Sequence, residues 1–206
     1  MSQVGKSLVK RGLDIVLSSI AVMVLIPVFL LLAVAIKIDG GPALFAHNRI
    51  GKGGTGFKCY KLRTMHTEGD AQLVQLFEND EQAHIEWKTH YKLKDDPRIT
   101  PIGRLLRKSS LDELPQLFNV IKGDMSLVGP RPIVHEELEL YGENVGHYFS
   151  TRPGITGLWQ VSGRNDLDYA RRVALDTEYV ARWRHGLDLK ILVKTIGVVL
   201  TQRGAY

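Results

Sequence analysis

Residues 109–123 read Ser-Ser-Leu-Asp-Glu-Leu-Pro-Gln-Leu-Phe-Asn-Val-Ile-Lys-Gly, and this stretch decides how the centre of the chain folds. Its apolar side chains recur at the i, i+3, i+4 and i+7 spacing of one helical face: Leu114, Leu117, Phe118 and Ile121. Gly123 follows the last of them, at a place where helices commonly end. The pattern therefore predicts a short helix with one buried face.

Two starts for this helix agree with the sequence. With Ser110 as the N-cap, Glu113 completes a capping box, but Pro115 then lies where it removes a helix hydrogen bond. With Asp112 as the N-cap, Pro115 costs nothing, and the helix dipole favours the ionised carboxylates of Asp112 and Glu113. An ionised carboxylate is already a nucleophile. The simpler interpretation is that Asp112 only caps the helix and Glu113 only complements its dipole.

Cationic residues flank the acidic pair on both sides: Arg98, Arg104, Arg107 and Lys108 before it, and Arg131 after it. Arg131 stands between two prolines, which restrict the backbone that carries its guanidinium. Such a planar group suits a phosphate or a carboxylate. A carboxylate that attacks a diphosphate needs Mg²⁺ and nearby cations to offset the repulsion between anions. The sequence offers both kinds of group.

Residues 15–36 are 22 consecutive positions without a charged side chain, long enough for a helix to cross a bilayer core of about 30 Å. A cleaved signal peptide is disfavoured, because Lys37-Ile38-Asp39 supplies no small-residue cleavage site. We therefore predict a membrane anchor over residues 1–40 and one catalytic unit over residues 41–206.

The topology of the anchor stays open on physical grounds. Basic residues flank the apolar run on both sides, so both flanks carry the cytoplasmic signal. Pro27 lies mid-run, where it cannot donate to the Met23 carbonyl and its ring crowds that carbonyl, which predicts a kink. A helix bent back on itself satisfies both flanks, while a spanning helix with a tolerated proline is the equal alternative.

The remaining patterns predict a helix-rich α+β fold. Residues 43–50 and 57–62 read as two strands around a glycine-rich turn, and the turn lacks the Gly-Lys-Ser/Thr sequence and following helix of a phosphate loop. Residues 67–94 and 168–184 are helical in pattern. The run after Gly186 predicts an amphipathic helix, either at a membrane surface or in the core.

Composition narrows the class of protein. The 206 residues are 44% hydrophobic, enough for one sizeable core, and the net charge of +5 suits an anionic partner. Cys59 is the only cysteine, which excludes an internal disulfide and a thiolate zinc cage. His84 and His90 are six residues apart and do not share a helical face, so a histidine metal site is disfavoured.

Several motifs together resemble the bacterial sugar transferase family, the small monotopic phosphoglycosyl transferases. They cover nearly the whole chain: Lys10-Arg11 with Asp14, KLRTM at 61–65, DPRIT at 96–100, LDELPQ at 111–116, GDMSLVGPRP at 123–132, RPGITG at 152–157 and GLWQVSGR at 157–164.

The resemblance implies a covalent mechanism centred on Asp112. Asp112 is expected to attack the β-phosphate of a UDP-sugar, with Glu113 as its partner carboxylate and both as ligands of Mg²⁺. UMP leaves first, and undecaprenyl phosphate then attacks the enzyme-bound phosphosugar. Glucose or galactose is the expected sugar. The product is expected to initiate exopolysaccharide, capsule or O-antigen assembly.

Further expectations follow from the same resemblance. The residues expected to bind substrate or phosphate are Arg107, Arg131, Arg152, Arg164, Lys61 and Arg63. For Arg152 and Arg164, exposure to solvent is an equal alternative. Asp176 resembles a family acid near the active site.

The resemblance also predicts a re-entrant helix hairpin broken at Pro27, in the bacterial inner membrane, with the catalytic domain facing the cytoplasm. The family commonly has Ser-Pro at this break, whereas this chain has Ile26-Pro27. The expected partners are the UDP-sugar, undecaprenyl phosphate and membrane lipids, without nucleic acid, and a homodimer is left open.

Two other functions compete with this one. The first is a non-enzymatic membrane-anchored scaffold that binds anionic lipid or other anions, for which the Asp112-Glu113 pair is unfavourable because it weakens anion binding. The second is a glycosyltransferase that cleaves at the sugar carbon, but such enzymes usually carry an Asp-x-Asp pair, and Asp95-Asp96-Pro97 is a poor substitute.

Overall fold

A computed structural model of the protein describes residues 4–38, 40–90, 93, 96–163 and 167–201. The helices of eight or more residues are α1 (Leu8–Lys37), α2 (Gly69–Asn79), α3 (Glu81–His90), α4 (Pro101–Ser109), α8 (Tyr169–Ala181) and α9 (His185–Thr201). The shorter helices are α5 (Gln116–Lys122), α6 (Leu138–Tyr141) and α7 (Val145–Phe149). The strands are β1 (Leu44–Ile50), β2 (Gly56–Leu62), β3 (Ser126–Val128) and β4 (Gly154–Thr156). This confirms the predicted helix-rich α+β class.

The apolar N-terminal run forms one helix of 30 residues, α1. Its N-cap is Ser7, whose hydroxyl accepts a hydrogen bond from the Lys10 N–H. A helix of this length extends about 45 Å, and α1 is long and apolar enough to cross a membrane. Pro27 lies inside the helix, and α1 continues through it without interruption. The structure thus shows no break of the helix at Pro27, and the re-entrant hairpin stays a prediction.

Both ends of α1 contact the rest of the protein. Near its start, Arg11 donates to the backbone carbonyls of Val120 and Ile121, over 2.6 and 2.9 Å. Near its end, Ile36 is buried in a cluster that includes Leu62 and Leu106. The helix is thus tied to the same globular part at two places far apart along its length.

The predicted hairpin is confirmed. Strands β1 and β2 pair antiparallel from Leu44 opposite Leu62 to Ile50 opposite Gly56. The connection turns through Gly53 and Gly54, which have φ angles of 70° and 78° that side chains rarely adopt. The hairpin carries Lys61 near the end of β2.

The central helix begins later than either predicted start. Helix α4 ends at Ser109, its C-cap Ser110 is left-handed with φ 58°, and Leu111–Glu113 form a 3₁₀ turn. Helix α5 then begins at Gln116, directly after Pro115. Predicting Ser110 or Asp112 as its N-cap was wrong, because the chain after Ser110 first closes hydrogen bonds of the 3₁₀ type, such as Leu114 N–H to the Leu111 carbonyl. The acidic pair therefore lies in the tight turn before the helix.

A second small sheet holds the Arg131 loop, which is the segment of residues 129–132 directly after β3. Strands β3 and β4 are parallel, and the backbones of Gly129 and Gly154 approach so closely that a Cβ on Gly154 would collide with Gly129. Farther along the chain, Asp168 is the N-cap of α8, which begins at Tyr169 within the run of residues 168–184 that the helical pattern predicted.

Helix α9 combines the two predicted environments. Ile191 is almost completely buried against the core, while Leu189, Val193 and Ile196 on the other side are more than 60% exposed. The inner face is therefore a core face. The exposed apolar stripe is of the kind that interfacial helices present to a membrane.

Candidate active site

A cavity of about 710 Å³ opens where β2, the acidic turn and the loop that carries Arg131 meet. Part of its lining comes from residues that follow β2 and from the end of α4, including Thr64, His66, Asp70 and Arg107. Arg131, Trp159 and Gln160 also line it. Lys61, Asp112 and Glu113 also line the cavity, so the structure brings together three residues that the sequence placed 52 positions apart at most.

The Lys61 ammonium lies beside both carboxylates of the acidic turn. Its Nζ is 2.8 Å from Glu113 Oε1 and 3.8 Å from Asp112 Oδ2. The Asp112 side chain is 12% exposed and that of Glu113 38% exposed, so the first is nearly enclosed and the second faces the opening. The three groups form a compact ionic cluster at the cavity wall.

Burial shapes the acidity of Asp112. The pKa of this carboxyl is raised to about 6 overall, and burial is the largest cause. The negative charge of Glu113 also raises the pKa, while the cations of Lys61 and Arg107 act in the opposite direction. At neutral pH the group is therefore mostly ionised but poorly solvated, as a carboxylate nucleophile requires.

Arg107 is a second cation whose charge interacts with Asp112. Its Nε donates to the Thr64 hydroxyl over 2.9 Å. Burial lowers the pKa of Arg107, while the charges of Asp112 and Asp96 raise it. The guanidinium is thus held close enough to the acidic turn to bind an anion that approaches Asp112.

Arg131 also lines the cavity. Its guanidinium carbon lies 5.8 Å from the centre of the Trp159 ring, within cation–π range. Behind it, buried Asp176 accepts a hydrogen bond of 2.8 Å from the Tyr141 hydroxyl. The pKa of Asp176 is raised to about 7 overall, because burial outweighs the lowering effects of the Tyr141 hydrogen bond and of Arg131. Asp176 therefore interacts with Arg131 but is not among the described residues that line the cavity.

Arg63 and Arg152 make structural contacts. The Arg63 guanidinium donates to carbonyls around the end of α1, including Ile36 O at 2.9 Å and Pro42 O at 2.8 Å, although its side chain borders the cavity. Arg152 Nε donates to the Gly123 carbonyl over 2.7 Å, away from the described cavity lining. Arg164 lies outside the described residues. Of the cations predicted to bind phosphate, Lys61, Arg107 and Arg131 are therefore the three best placed.

Several residues that line the cavity escaped the sequence analysis. Thr64 and Trp159 stand inside motifs quoted above, so their motif membership was a usable signal. Asp70 and His66 line the wall only because the chain turns back after β2, and nothing local in the sequence marks them. Cys59 also borders the cavity, but burial raises the pKa of its thiol to about 11.

The donor set fits Mg²⁺. The described residues contain no group of three or more His, Cys, Asp or Glu side chains that could hold a metal alone. Mg²⁺ is usually held by one or two carboxylates together with substrate phosphates. Asp112 and Glu113 are such a pair, and they already share one cation, the Lys61 ammonium.

A nearly enclosed carboxylate beside cations, at the wall of an open cavity, fits the active site of a phosphoryl-group transferase. The comparison with known proteins is more specific. The chain belongs to the bacterial sugar transferase family, whose sequence model matches residues 5–202.

Individual relatives agree with this assignment. The chain is 53% identical over 206 residues to an uncharacterized sugar transferase of Haemophilus influenzae, covering all of this chain and 44% of that protein. It is 52% identical to the exopolysaccharide production protein ExoY of Sinorhizobium fredii, covering 96% of this chain and 88% of that protein. It is 53% identical to the undecaprenyl-phosphate galactose phosphotransferase of Salmonella typhimurium, covering 96% of this chain and 41% of that protein. The chain thus spans less than half the length of two of the three.

Proposed function

We propose that this protein transfers a hexose 1-phosphate from a UDP-sugar to undecaprenyl phosphate and releases UMP, with Asp112 as the nucleophile. The observation that carries the proposal is the position of Asp112, nearly enclosed at the wall of the cavity, with the charges of Lys61 and Arg107 acting on it and with Arg131 lining the same cavity. Relatives named as an undecaprenyl-phosphate galactose phosphotransferase and a UDP-glucose:undecaprenyl-phosphate glucose-1-phosphate transferase support the reaction class.

In the first step, a carboxylate oxygen of Asp112 attacks the β-phosphorus of the UDP-sugar. The bond from that phosphorus to the bridging oxygen breaks, and UMP leaves with the electron pair. Burial keeps the attacking oxygen poorly solvated, while the raised pKa of about 6 leaves it mostly ionised at neutral pH. In the second step, an oxygen of undecaprenyl phosphate attacks the same phosphorus and releases the Asp112 carboxylate.

The cations of the site offset the repulsion between these anions. Arg107 and Arg131 both line the cavity with Asp112, so each can hold a phosphate that approaches this carboxylate. Lys61 holds the two carboxylates in place before substrate binds. Mg²⁺, held by Asp112, Glu113 and the substrate phosphates, would supply further charge neutralisation on the transferred group.

The deciding experiment measures UMP release by the full chain in nanodiscs with Mg²⁺, across a panel of UDP-sugars, with and without undecaprenyl phosphate. We expect sustained release with UDP-glucose or UDP-galactose that depends on the lipid phosphate. Without lipid, we expect at most one UMP per protein, since the phosphosugar stays on Asp112. No release with any donor would favour the scaffold, which binds anionic vesicles but turns nothing over.

We further propose that α1 enters and leaves the membrane on the cytoplasmic side of the bacterial inner membrane. The support is that Arg11 near one end and Ile36 near the other contact the same globular part. A helix that crossed the bilayer would separate its ends by about 30 Å of hydrocarbon.

A labelling experiment tests this topology. Cys59 is buried, so single cysteines introduced as Ser2→Cys and Thr55→Cys can be read against a low background with a membrane-impermeant maleimide. Both are expected to react only in inverted vesicles. Reaction of Ser2→Cys in intact spheroplasts would show a spanning helix. Pro27→Leu is expected to shift the Ser2→Cys label towards that spanning pattern.

The product of such a reaction would begin the assembly of an exopolysaccharide, capsule or O-antigen. The name of the exopolysaccharide production relative from Sinorhizobium fredii supports this role. The product to detect in the nanodisc assay is the sugar phosphate joined to undecaprenyl phosphate, and its amount should rise with continued turnover.

A further inference from the structure

The outer edge of β2 is paired with a side chain in place of a strand. The side-chain amide of Asn119 accepts a hydrogen bond from the Tyr60 N–H over 2.9 Å and donates to the Lys58 carbonyl over 2.8 Å. Strand β1 occupies the other edge of β2. For one step of the ladder, Asn119 thus satisfies two backbone groups as a neighbouring strand would.

Asn119 is itself firmly held. It is completely buried, and its Nδ2 also donates to Asp124 Oδ2 over 3.2 Å. Its backbone carbonyl accepts hydrogen bonds from the N–H groups of Gly123, Asp124 and Met125. An amide fixed on so many sides can fix what it binds.

The two elements joined by this amide carry the opposite charges of the active site. Asn119 lies on α5, which directly follows the turn that bears Asp112 and Glu113. On β2, Lys61 is the residue next to the pinned Tyr60, and its Nζ reaches Glu113 over 2.8 Å. The amide of Asn119 therefore links the strand that carries Lys61 to the helix that follows the two carboxylates.

We propose that Asn119 is a positioning residue, whose amide sets β2 against α5 so that the Lys61 ammonium lies beside Asp112 and Glu113. Apolar packing alone does not set this register, because the contacts of Cys59 with Val120 and Met125 have no direction. A slip of one residue would turn Lys61 to the other face of β2. The directional pair of hydrogen bonds prevents that slip. The kinetic part of the inference rests on the proposed transferase function, and the geometric part does not.

Asn119→Asp tests the proposal with almost no change in size. The aspartate keeps an acceptor for the Tyr60 N–H but presents an oxygen to the Lys58 carbonyl and to Asp124. The double variant Asn119→Asp with Asp124→Asn restores a donor at position 124 while the Lys58 carbonyl still faces an oxygen. It separates lost stability from lost positioning, and it gives the same test if the single variant does not fold.

Ser126→Ala is the matched control. It removes a buried hydroxyl that donates to Asp14 Oδ2 and lies near the Val128 carbonyl, and none of these contacts involves β2. It therefore disturbs buried hydrogen bonding without touching the proposed device.

The first measurement is a carbodiimide cross-link, which forms an amide only between an amine and a carboxyl group already in contact. In the full chain in detergent, peptide mass spectrometry is expected to find the Lys61–Glu113 cross-link in the wild type and in Ser126→Ala. Both variants with Asn119→Asp are expected to lose it. The same cross-link yield in all four proteins would overturn the proposal, whatever their activity.

The second measurement is the kinetic split in UMP release. We expect both Asn119→Asp proteins to show a kcat about 10- to 100-fold below wild type, since a misplacement of about 1 Å can cost that much. KM for the UDP-sugar should stay unchanged, because the amide touches neither Arg107 nor Arg131. Full recovery of kcat in the double variant together with its melting temperature would reduce Asn119 to a structural role. The two proposals can also fail separately. If the wild type is inactive with every donor, but Asn119→Asp still abolishes the cross-link, the proposed function is wrong and the positioning role of Asn119 stands.

Discussion

Two clusters in this protein each combine one lysine with two carboxylates, and the distances in one cluster nearly match those in the other. Lys10 Nζ lies 2.7 Å from Asp188 Oδ2 and 4.0 Å from Asp14 Oδ1. Lys61 Nζ lies 2.8 Å from a Glu113 oxygen and 3.8 Å from an Asp112 oxygen. Distances alone do not separate the two clusters.

Their hydrogen-bond partners do. Asp188 also accepts from the Tyr179 hydroxyl over 2.8 Å and from the Trp183 ring N–H over 3.1 Å. Asp14 accepts from the Ser126 hydroxyl and the Leu127 N–H. The cluster at Lys10 is therefore closed and well satisfied.

The cluster at Lys61 instead borders the cavity, and the charges of Lys61 and Arg107 act on Asp112 there. The comparison teaches that an ionic cluster enclosed within the fold fastens elements together. One at a cavity wall can exchange its lysine for substrate or metal. Four changes test this distinction.

The largest effect is expected for Asp112→Asn. Loss of the nucleophile should lower UMP release by about 10³-fold or more. The fold should keep or gain stability, because the raised pKa means that the ionised carboxylate destabilises it by up to about 3 kcal/mol. Turnover assays and thermal unfolding in nanodiscs measure both effects. Near-normal turnover would remove the covalent mechanism.

The opposite result is expected for Asp188→Asn. It leaves the buried Lys10 without its close partner, which should lower the free energy of unfolding by about 3–5 kcal/mol. UMP release per folded molecule should stay at the wild-type level. Glu178→Gln, at the exposed pair with Arg182, is the control and should cost about 1 kcal/mol or less. A large fall in kcat with normal stability would contradict the structural role of this cluster.

The pH dependence of kcat/KM is the third test. With a pKa of about 6 for Asp112, the rate should fall about 10-fold for each pH unit below 6, since only the ionised carboxylate attacks. For stability the sign is reversed. The ionised group destabilises the fold above pH 6, and this contribution disappears as the pH falls through 6 towards the ordinary value of 3.8. The pKa of Asp176 is also raised, to about 7, so the acid limb should persist in Asp176→Asn.

The smallest effect compares two tryptophans. Trp159→Phe weakens the cation–π contact that holds Arg131, so KM for the UDP-sugar should rise about 2- to 5-fold, corresponding to about 0.5–1 kcal/mol. Trp183→Phe removes a hydrogen bond to Asp188 and should lower stability while leaving KM unchanged. Equal KM values in both variants would show that Trp159 does not act through Arg131.

Local patterns predicted most of the fold. The apolar run marked α1, and the glycine-rich turn between two β-rich segments marked the β1–β2 hairpin. The start of α5 was missed, because two capping rules competed and neither predicts the 3₁₀ turn over Leu111–Glu113 that precedes the helix. Sequence rules rank local preferences, and they do not say which one the surrounding packing selects.

The candidate site was only partly predictable for the same reason. Asp112, Glu113 and Arg131 carried motif signals, and they do line one cavity. Arg63 carried the same kind of signal, yet its guanidinium holds the carbonyls after α1, a contact that depends on where distant segments meet. Asn119 looked like an ordinary polar residue of a helix, and only the edge of β2 beside it gives it a role.

The partnership of Lys10 and Asp188 has a consequence for how the protein is made. The two residues are 178 positions apart, so at about 5 to 20 residues per second the ribosome adds Asp188 about 9 to 36 s after Lys10. During that interval α1 has already been synthesised and lacks this ion pair, although Arg11 and Asp14 can already contact residues 120–127. The Lys10–Asp188 contact is therefore the last of these attachments at the amino end of α1 to form. A nascent chain arrested before residue 188 should dock that end through Arg11 and Asp14, but less stably than the full chain.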